Sequence, residues 1–166
     1  MSTPPPSPLL DDPRLTTMGL LMEVHAGLRS ATEPDLEVHG LSWSAFDVLI
    51  RLSRSPDLRL RMSQLADQTT LSNSGLTRVV DRLLDAGLVQ RVRDHDDKRV
   101  YHAVITPAGL TRVVDALPSH LALIQRSLTG LIDPADLVVF ERVLRTVRAV
   151  VKPGADPSDP VAPPAS

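Results

Sequence analysis

The sequence contains no cysteine. That excludes disulfides, thiolate metal sites and thiol redox sensing. Aromatic residues are scarce as well, at 2% against 42% hydrophobic residues overall. Any core must therefore be built from Leu, Val, Ala and Ile. No run approaches the roughly 18 consecutive apolar residues of a membrane span. The Pro-rich start of the chain carries neither the basic n-region nor the apolar h-region of a secretion signal. A cytoplasmic protein with no membrane partner is the expectation.

Catalytic signatures are missing too. There is no recognisable nucleophile–base pair and no Gly-rich phosphate loop, so neither an enzyme nor a cofactor is expected. His25, His39, His95, His102 and His120 form neither an HxxxH nor an HxH set, so no metal site is expected.

Positive charge is short in the whole but not locally. The chain of 166 residues has a formal charge of −2. Between Arg51 and Arg112 lie eleven basic residues (Arg51, Arg54, Arg59, Arg61, Arg78, Arg82, Arg91, Arg93, Lys98, Arg99 and Arg112) and seven acidic ones, all Asp. That stretch therefore nets +4 and the remainder −6. Phosphate neutralisation is local, so a basic middle is compatible with nucleic acid despite an acidic whole.

Proline marks the ends. Ten of the fifteen prolines fall in Met1–Pro13 or Pro153–Ser166, and neither segment shows apolar periodicity. Residues 1–12 and 153–166 read as disordered tails around one unit, 13–152. Its first helix spans about 13–31, with Leu20, Leu21, Val24 and Leu28 on one stripe. Pro34 and Gly40 make 32–40 a loop. Ser42 caps a second helix through Arg54 with Phe46, Leu49, Ile50 and Leu52 as its apolar side. A short helix over Met62–Gln68, a turn at Thr69-Thr70-Leu71 and a longer helix over Ser72–Ala86 follow. The last has Leu76, Val79, Val80 and Leu83 at i, i+3, i+4 and i+7 and Gly87 at its end. Two strand-like runs, Leu88–Arg93 and Arg99–Thr106, flank a polar tip and read as a hairpin. Thr106-Pro107 opens a helix toward Gly130, bent at Pro118. Asp133-Pro134 opens a last helix to Val151, striped by Leu137, Phe140, Leu144, Val147 and Val151.

Short helix, tight turn, amphipathic helix and hairpin, in that order, spell a winged helix-turn-helix over about 41–106. The fold class expected is mainly α with a small β-hairpin wing and flanking helices at both ends. An α-helix fits the major groove, where its N-terminal half meets base edges. Asn73, Ser74, Thr77 and Arg78 are the candidate readers. Ser72, at the helix N-terminus, suits a phosphate. Arg82 lies one turn further on, toward the backbone. Lys98 or Arg99 at the hairpin tip suits an adjacent minor groove. Ser63 and Arg93 complete the candidate DNA contacts.

The segments "LSWSAFDVLIRLSRSP", "RMSQLADQTTLSNSGLTRVVDRLLDAGLVQRVRDHDDKR" and "ITPAG" resemble the MarR family of bacterial regulators. The combination of "SGLTRVVDRLLDAGLV", the D-x-R of Asp97-Lys98-Arg99 and "TPAG" carries the likeness, over about 70 residues. The resemblance implies a homodimer built on the helices at about 13–31 and 107–151, presenting two recognition helices to a pseudo-palindromic operator on double-stranded DNA. An apolar surplus agrees with this: Leu117, Leu121, Ile124, Leu128 and Leu131 would leave an exposed patch on a monomer. The resemblance further implies a repressor released by a small phenolic or anionic effector held between the dimerisation helices and the DNA-binding lobe. Arg14, Met22, His25, Trp43, Asp47 and Arg54 are the candidate pocket residues, with Asp47 and Arg54 on one helix face. Urate-responsive relatives carry a tryptophan in the first helix, which this chain lacks. The alternative, prompted by the acid-rich tip Asp94, Asp96 and Asp97, is a winged module that binds a ligand or protein rather than specific DNA.

Overall fold

The long helices all begin on a side chain that closes the first turn. The computed structural model describes residues 7–95 and 97–155. In chain order its regular elements are α1 (Pro13–Val38), α2 (Trp43–Ser53), β1 (Arg59–Arg61), α3 (Met62–Gln68), α4 (Asn73–Asp85), β2 (Val89–Arg93), β3 (Tyr101–Ile105), α5 (Pro107–Ser127) and α6 (Pro134–Val151). Asp12 accepts from the Arg14 amide at 2.9 Å and Ser42 from Ala45 at 3.2 Å. Ser72 accepts from Gly75 at 3.1 Å, Thr106 from Gly109 at 3.0 Å and Asp133 from Ala135 at 2.9 Å. Each bond satisfies an amide that the helix itself leaves without a partner.

The apolar stripes of α2 and α4 meet in one core. Val48, Leu49 and Leu52 of α2, Leu65 of α3, and Leu76, Val79, Val80 and Leu83 of α4 are buried there. Leu36 of α1, Ala103 of β3, and Val113 and Ala116 of α5 join them. At the end of α4, Gly87 takes φ 70°. The Leu88 amide reaches the Leu83 carbonyl and the Gly87 amide the Leu84 carbonyl, each at 2.9 Å, and Leu83 and Leu88 are both buried. This stop hands the chain to β2.

The structure corrects several expectations. α1 continues through Pro34 to Val38 instead of ending near residue 31, so 32–38 is helix and not loop. A proline inside a helix costs about 3 kcal/mol. Here the added turn buries Leu36 and Thr32, whose hydroxyl also donates to the Leu28 carbonyl at 2.7 Å. Burial and packing outweigh local propensity. α5 runs on through Pro118 to Ser127 and is followed by a 3-10 turn, Thr129–Leu131. The expected hairpin of β2 and β3 is present, and β1 joins it to make a three-stranded antiparallel sheet, β1-β3-β2. Arg59–Arg61 shows no sequence signal beyond one apolar residue, Leu60, which is buried opposite Ala103. Parts of the expected tails are ordered. Ser7 caps a 3-10 turn over Pro8–Asp11, and Pro153–Ala155 packs back onto the protein, with Ala155 buried. Residues 1–6 and 156–166 of the expected tails lie outside the described residues.

Much of the apolar surface has no cover. The predicted α1 stripe is exposed at Leu20 (57%), Leu21 and Val24, and α6 has no buried residue at all. No described helix is long and apolar enough to cross a membrane.

Candidate nucleic-acid interface

α4 is set against the core by its four buried residues, which turns the opposite face to solvent. Asn73, Ser74, Thr77, Arg78, Asp81 and Arg82 are all exposed on it. Ser72 and Ser74 hydroxyls lie 3.3 Å apart at the helix start, and the Thr77 hydroxyl donates to the Asn73 carbonyl at 3.0 Å. Ser63 is exposed on α3. The first turn of α3 is closed by Gln64, whose side-chain oxygen accepts from the Arg61 amide at 3.1 Å.

The wing stands beside this face. β2 and β3 pair from Val89↔Ile105 to Arg93↔Tyr101. Thr106 locks their base: its amide donates to the Leu88 carbonyl at 3.0 Å and its hydroxyl to the Gly87 carbonyl at 2.8 Å. Gly109 lets α5 start in the same place. A Cβ there would lie 2.1 Å from the Leu88 oxygen. The Thr-Pro-Ala-Gly sequence is thus the joint between wing and α5.

Two carboxylates of the tip accept hydrogen bonds from its own backbone. Asp94 accepts from the Asp97 amide at 3.1 Å, and Asp97 accepts from the Arg99 amide at 2.9 Å. The other Asp94 oxygen lies 3.7 Å from His102 Nε2 and 3.9 Å from the Arg61 guanidinium. These two carboxylates cap their own turn and do not form a repelling acidic knob.

The basic residues divide into two sets. Arg51 pairs with Asp47 at 2.8 Å, Arg59 with Asp57 at 3.4 Å and Arg91 with Asp81 at 3.0 Å. Arg112 donates to the His39 carbonyl at 3.0 Å and ties α5 to the end of α1. Arg93 donates to the Tyr101 hydroxyl at 2.8 Å, its guanidinium carbon 5.3 Å from the ring centroid. Tyr101 was not singled out in the sequence, although the strand register places it opposite Arg93. In contrast, the side chains of Arg78, Arg82, Lys98 and Arg99 are exposed and make no ion pair among the described residues. Uncompensated charge therefore gathers on α4 and the wing tip, and Arg54, exposed at the end of α2, also makes no ion pair among the described residues.

The candidate effector residues are less concentrated. Arg14, Met22 and His25 are exposed on α1, and Arg14 pairs with Asp12 at 2.5 Å, which holds the Asp12 carboxyl below its ordinary value. Trp43 and Asp47 are half-buried on α2, Trp43 against the core. Asp47 bonds Arg51, one turn on, and not the exposed Arg54, because four residues bring side chains together along a helix and seven overshoot the reach. Two further groups, outside that set, lie on α5 and α1. His120 Nδ1 of α5 and Asp35 Oδ2 of α1 are buried without hydrogen-bond partners among the described residues, and the His120 ring stands edge-on to Phe46 at 4.7 Å. Burial pushes the His120 pKa down, with Asp35 opposing. Among the described residues, no three His, Asp or Glu cluster closely enough to hold a metal ion.

Comparison with known proteins agrees with this geometry. The family model described as the MarR family matches residues 41–101. The HTH-type transcriptional regulator MhqR of Bacillus subtilis (strain 168) is 30% identical over 112 residues, 68% of this chain and 76% of MhqR. The crystal structure of AbsC, a MarR family transcriptional regulator from Streptomyces coelicolor, superposes with a TM-score of 0.77 at 31% identity, over 86% of this chain and 96% of AbsC. Sco3205, a MarR family transcriptional regulator from the same organism crystallised in complex with DNA, shares the fold with a TM-score of 0.78 at 24% identity, over 91% and 94% of the two chains.

Proposed function

This chain belongs to the MarR family and is a DNA-binding transcriptional regulator, and from that premise we propose that it acts as a homodimeric repressor on a pseudo-palindromic operator. The observation that carries the reading is the exposed face of α4, with Arg78 and Arg82 free of ion pairs beside the equally free Lys98 and Arg99 of the wing. In this reading Asn73, Ser74, Thr77 and Arg78 meet base edges in the major groove. Ser63, Ser72, Arg82 and Arg93 meet phosphates, and Lys98 and Arg99 enter the minor groove. The bare stripes of α1 and α6 support the dimer, because a surface that apolar is stable in water when a second copy covers it.

Release by a small phenolic or anionic effector belongs to the same proposal. Its proposed site is the junction of α1, α2 and α5, with Trp43 and Asp47 of α2 as lining candidates and Arg14, Met22, His25 and Arg54 as the further candidates. The unpartnered His120 and Asp35 atoms support a polar ligand there. Such a ligand acts by binding better to a lobe spacing that does not fit the operator.

The experiment is a gel shift with the DNA upstream of the protein's own gene, with Arg78→Ala and Arg99→Ala in parallel. Specific binding at moderate salt is expected from the parent. Arg99→Ala weakens all duplexes alike and lowers the salt slope by about one. Arg78→Ala costs about 1–3 kcal/mol and relaxes preference at one position. A parent chain that binds no duplex specifically sinks the reading.

A further inference from the structure

No residue of α6 is fully buried, yet the chain leaving it returns to the DNA-binding lobe. Lys152 is the C-cap of α6, and its Nζ donates to the Thr69 carbonyl, 83 residues away in sequence. Thr69 ends α3, opens the turn to α4 and is 1% exposed. The Ala155 amide donates to the Lys152 carbonyl at 3.0 Å, which closes a turn, and Ala155 is 5% exposed. Gly154 approaches α3 so closely that a Cβ there would lie 3.1 Å from the Asp67 Cβ and 3.2 Å from its Cγ. Between the two segments lies a groove of about 470 Å³, walled by Ala66, Asp67 and Leu71 on one side and Val151, Lys152 and Pro153 on the other.

We propose that Lys152 is a positioning residue for DNA recognition: it grips the α3–α4 turn and fixes the recognition helix against the end of α6. This rests on the reading of α4 as the recognition helix and α6 as a dimerisation helix. Two recognition helices must enter their half-sites at a set spacing. Any freedom left in the turn is entropy that binding must remove. A charge-assisted hydrogen bond to a buried carbonyl removes it in advance. Lys152 acts through Thr69 and not on DNA, and this separates it from Arg78 or Lys98. The tight approach of Gly154 and the burial of Ala155 keep the lysine aimed.

The test uses the full chain, Lys152→Met and Lys152→Arg, on a duplex selected in vitro against the parent and on a scrambled duplex of equal length. Lys152→Met weakens binding to the selected duplex on the order of tenfold, the worth of one charge-assisted hydrogen bond. It leaves the scrambled duplex, the salt slope and the sedimentation coefficient as in the parent. Lys152→Arg, which still donates to the Thr69 carbonyl, recovers most of the loss. A salt slope shallower by about one unit in Lys152→Met makes the residue a phosphate contact and overturns the proposal. So does an equal loss on both duplexes, or no loss. If Lys152→Met does not fold, Gly154→Val displaces the segment from Asp67 with the lysine intact. The same selective loss is expected, and unchanged binding overturns the proposal. A selection that enriches no duplex brings down the DNA reading and this one together, whereas an enriched duplex bound equally by parent and Lys152→Met brings down this one alone.

Discussion

Asp81 on the outer face of α4 and Arg91 on β2 meet at 3.0 Å, a bond from recognition helix to wing. Both side chains are partly exposed, so the pair adds little stability. Its effect is on charge. It places a carboxylate on the face proposed to meet DNA and uses an arginine to neutralise it.

Asp81→Asn removes that carboxylate and frees Arg91. Stability stays within about 0.5 kcal/mol of the parent. Affinity for a random duplex rises several-fold at low salt and the salt slope steepens by about one unit, because one more cation faces phosphate. Fluorescence anisotropy across a salt series measures both, and identical curves for parent and variant refute the idea.

A carboxylate on the bare stripe of α6 separates the two copies. Val143→Asp or Val147→Asp puts a charge where the proposed partner covers an exposed valine. Burying it unpaired costs several kcal/mol. Sedimentation is expected to give a monomer, with circular dichroism showing a partial loss of helix and operator affinity collapsing. A variant that still sediments as the dimer moves the interface elsewhere.

Gly109→Ala loosens the joint between wing and α5. The new Cβ meets the Leu88 oxygen at 2.1 Å and Ile105 Cγ1 at 2.8 Å, a clash with backbone that no rotamer relieves. Destabilisation of at least about 1–3 kcal/mol is expected in thermal or denaturant unfolding. Ala108→Ser, at the exposed neighbouring position, serves as control and leaves the midpoint in place.

Acid loosens the α1–α2–α5 junction through His120. Burial lowers its pKa in the folded state below the ordinary 6.5, with the Asp35 carboxylate of α1 opposing and the Phe46 ring of α2 adding no charge. Below pH 6.5 the unfolded chain therefore binds more protons than the folded one. Stability is unaffected above that pH and declines as pH falls from it toward the folded-state pKa. His120→Leu flattens this part of the stability profile. Equal slopes for parent and His120→Leu in unfolding at a series of pH values remove His120 as the source.

Local signals carried far. The caps at Ser42, Ser72, Thr106 and Asp133 and the α4 stripe Leu76–Leu83 were legible because a helix start and a helix face are decided within four residues. The exposed face of α4 followed from the stripe, and with it the candidate readers. Other features had no local signal. β1 has three residues and one apolar side chain, and it exists because β3 offers a free edge. The acidic tip looked hostile to DNA in composition, yet Asp94 and Asp97 turn back onto their own backbone.

The sequence by itself determined the order of the helices and the exposed face of α4, since caps and stripes are settled between near neighbours in the chain, whereas the Thr-Pro-Ala-Gly joint closes on Gly87 and Leu88, 18 or more residues back from Thr106. Only the tertiary structure decided how far α1 runs through Pro34, which arginines remain free, and the partner of Asp81. The physical reason is range. Leu36 stays helical because a distant core buries it, Arg91 is quenched by a residue of another element, and Lys152 finds Thr69 across 83 residues. Propensity and spacing act over a turn or two, whereas charge pairing and burial are settled by whatever the fold brings alongside.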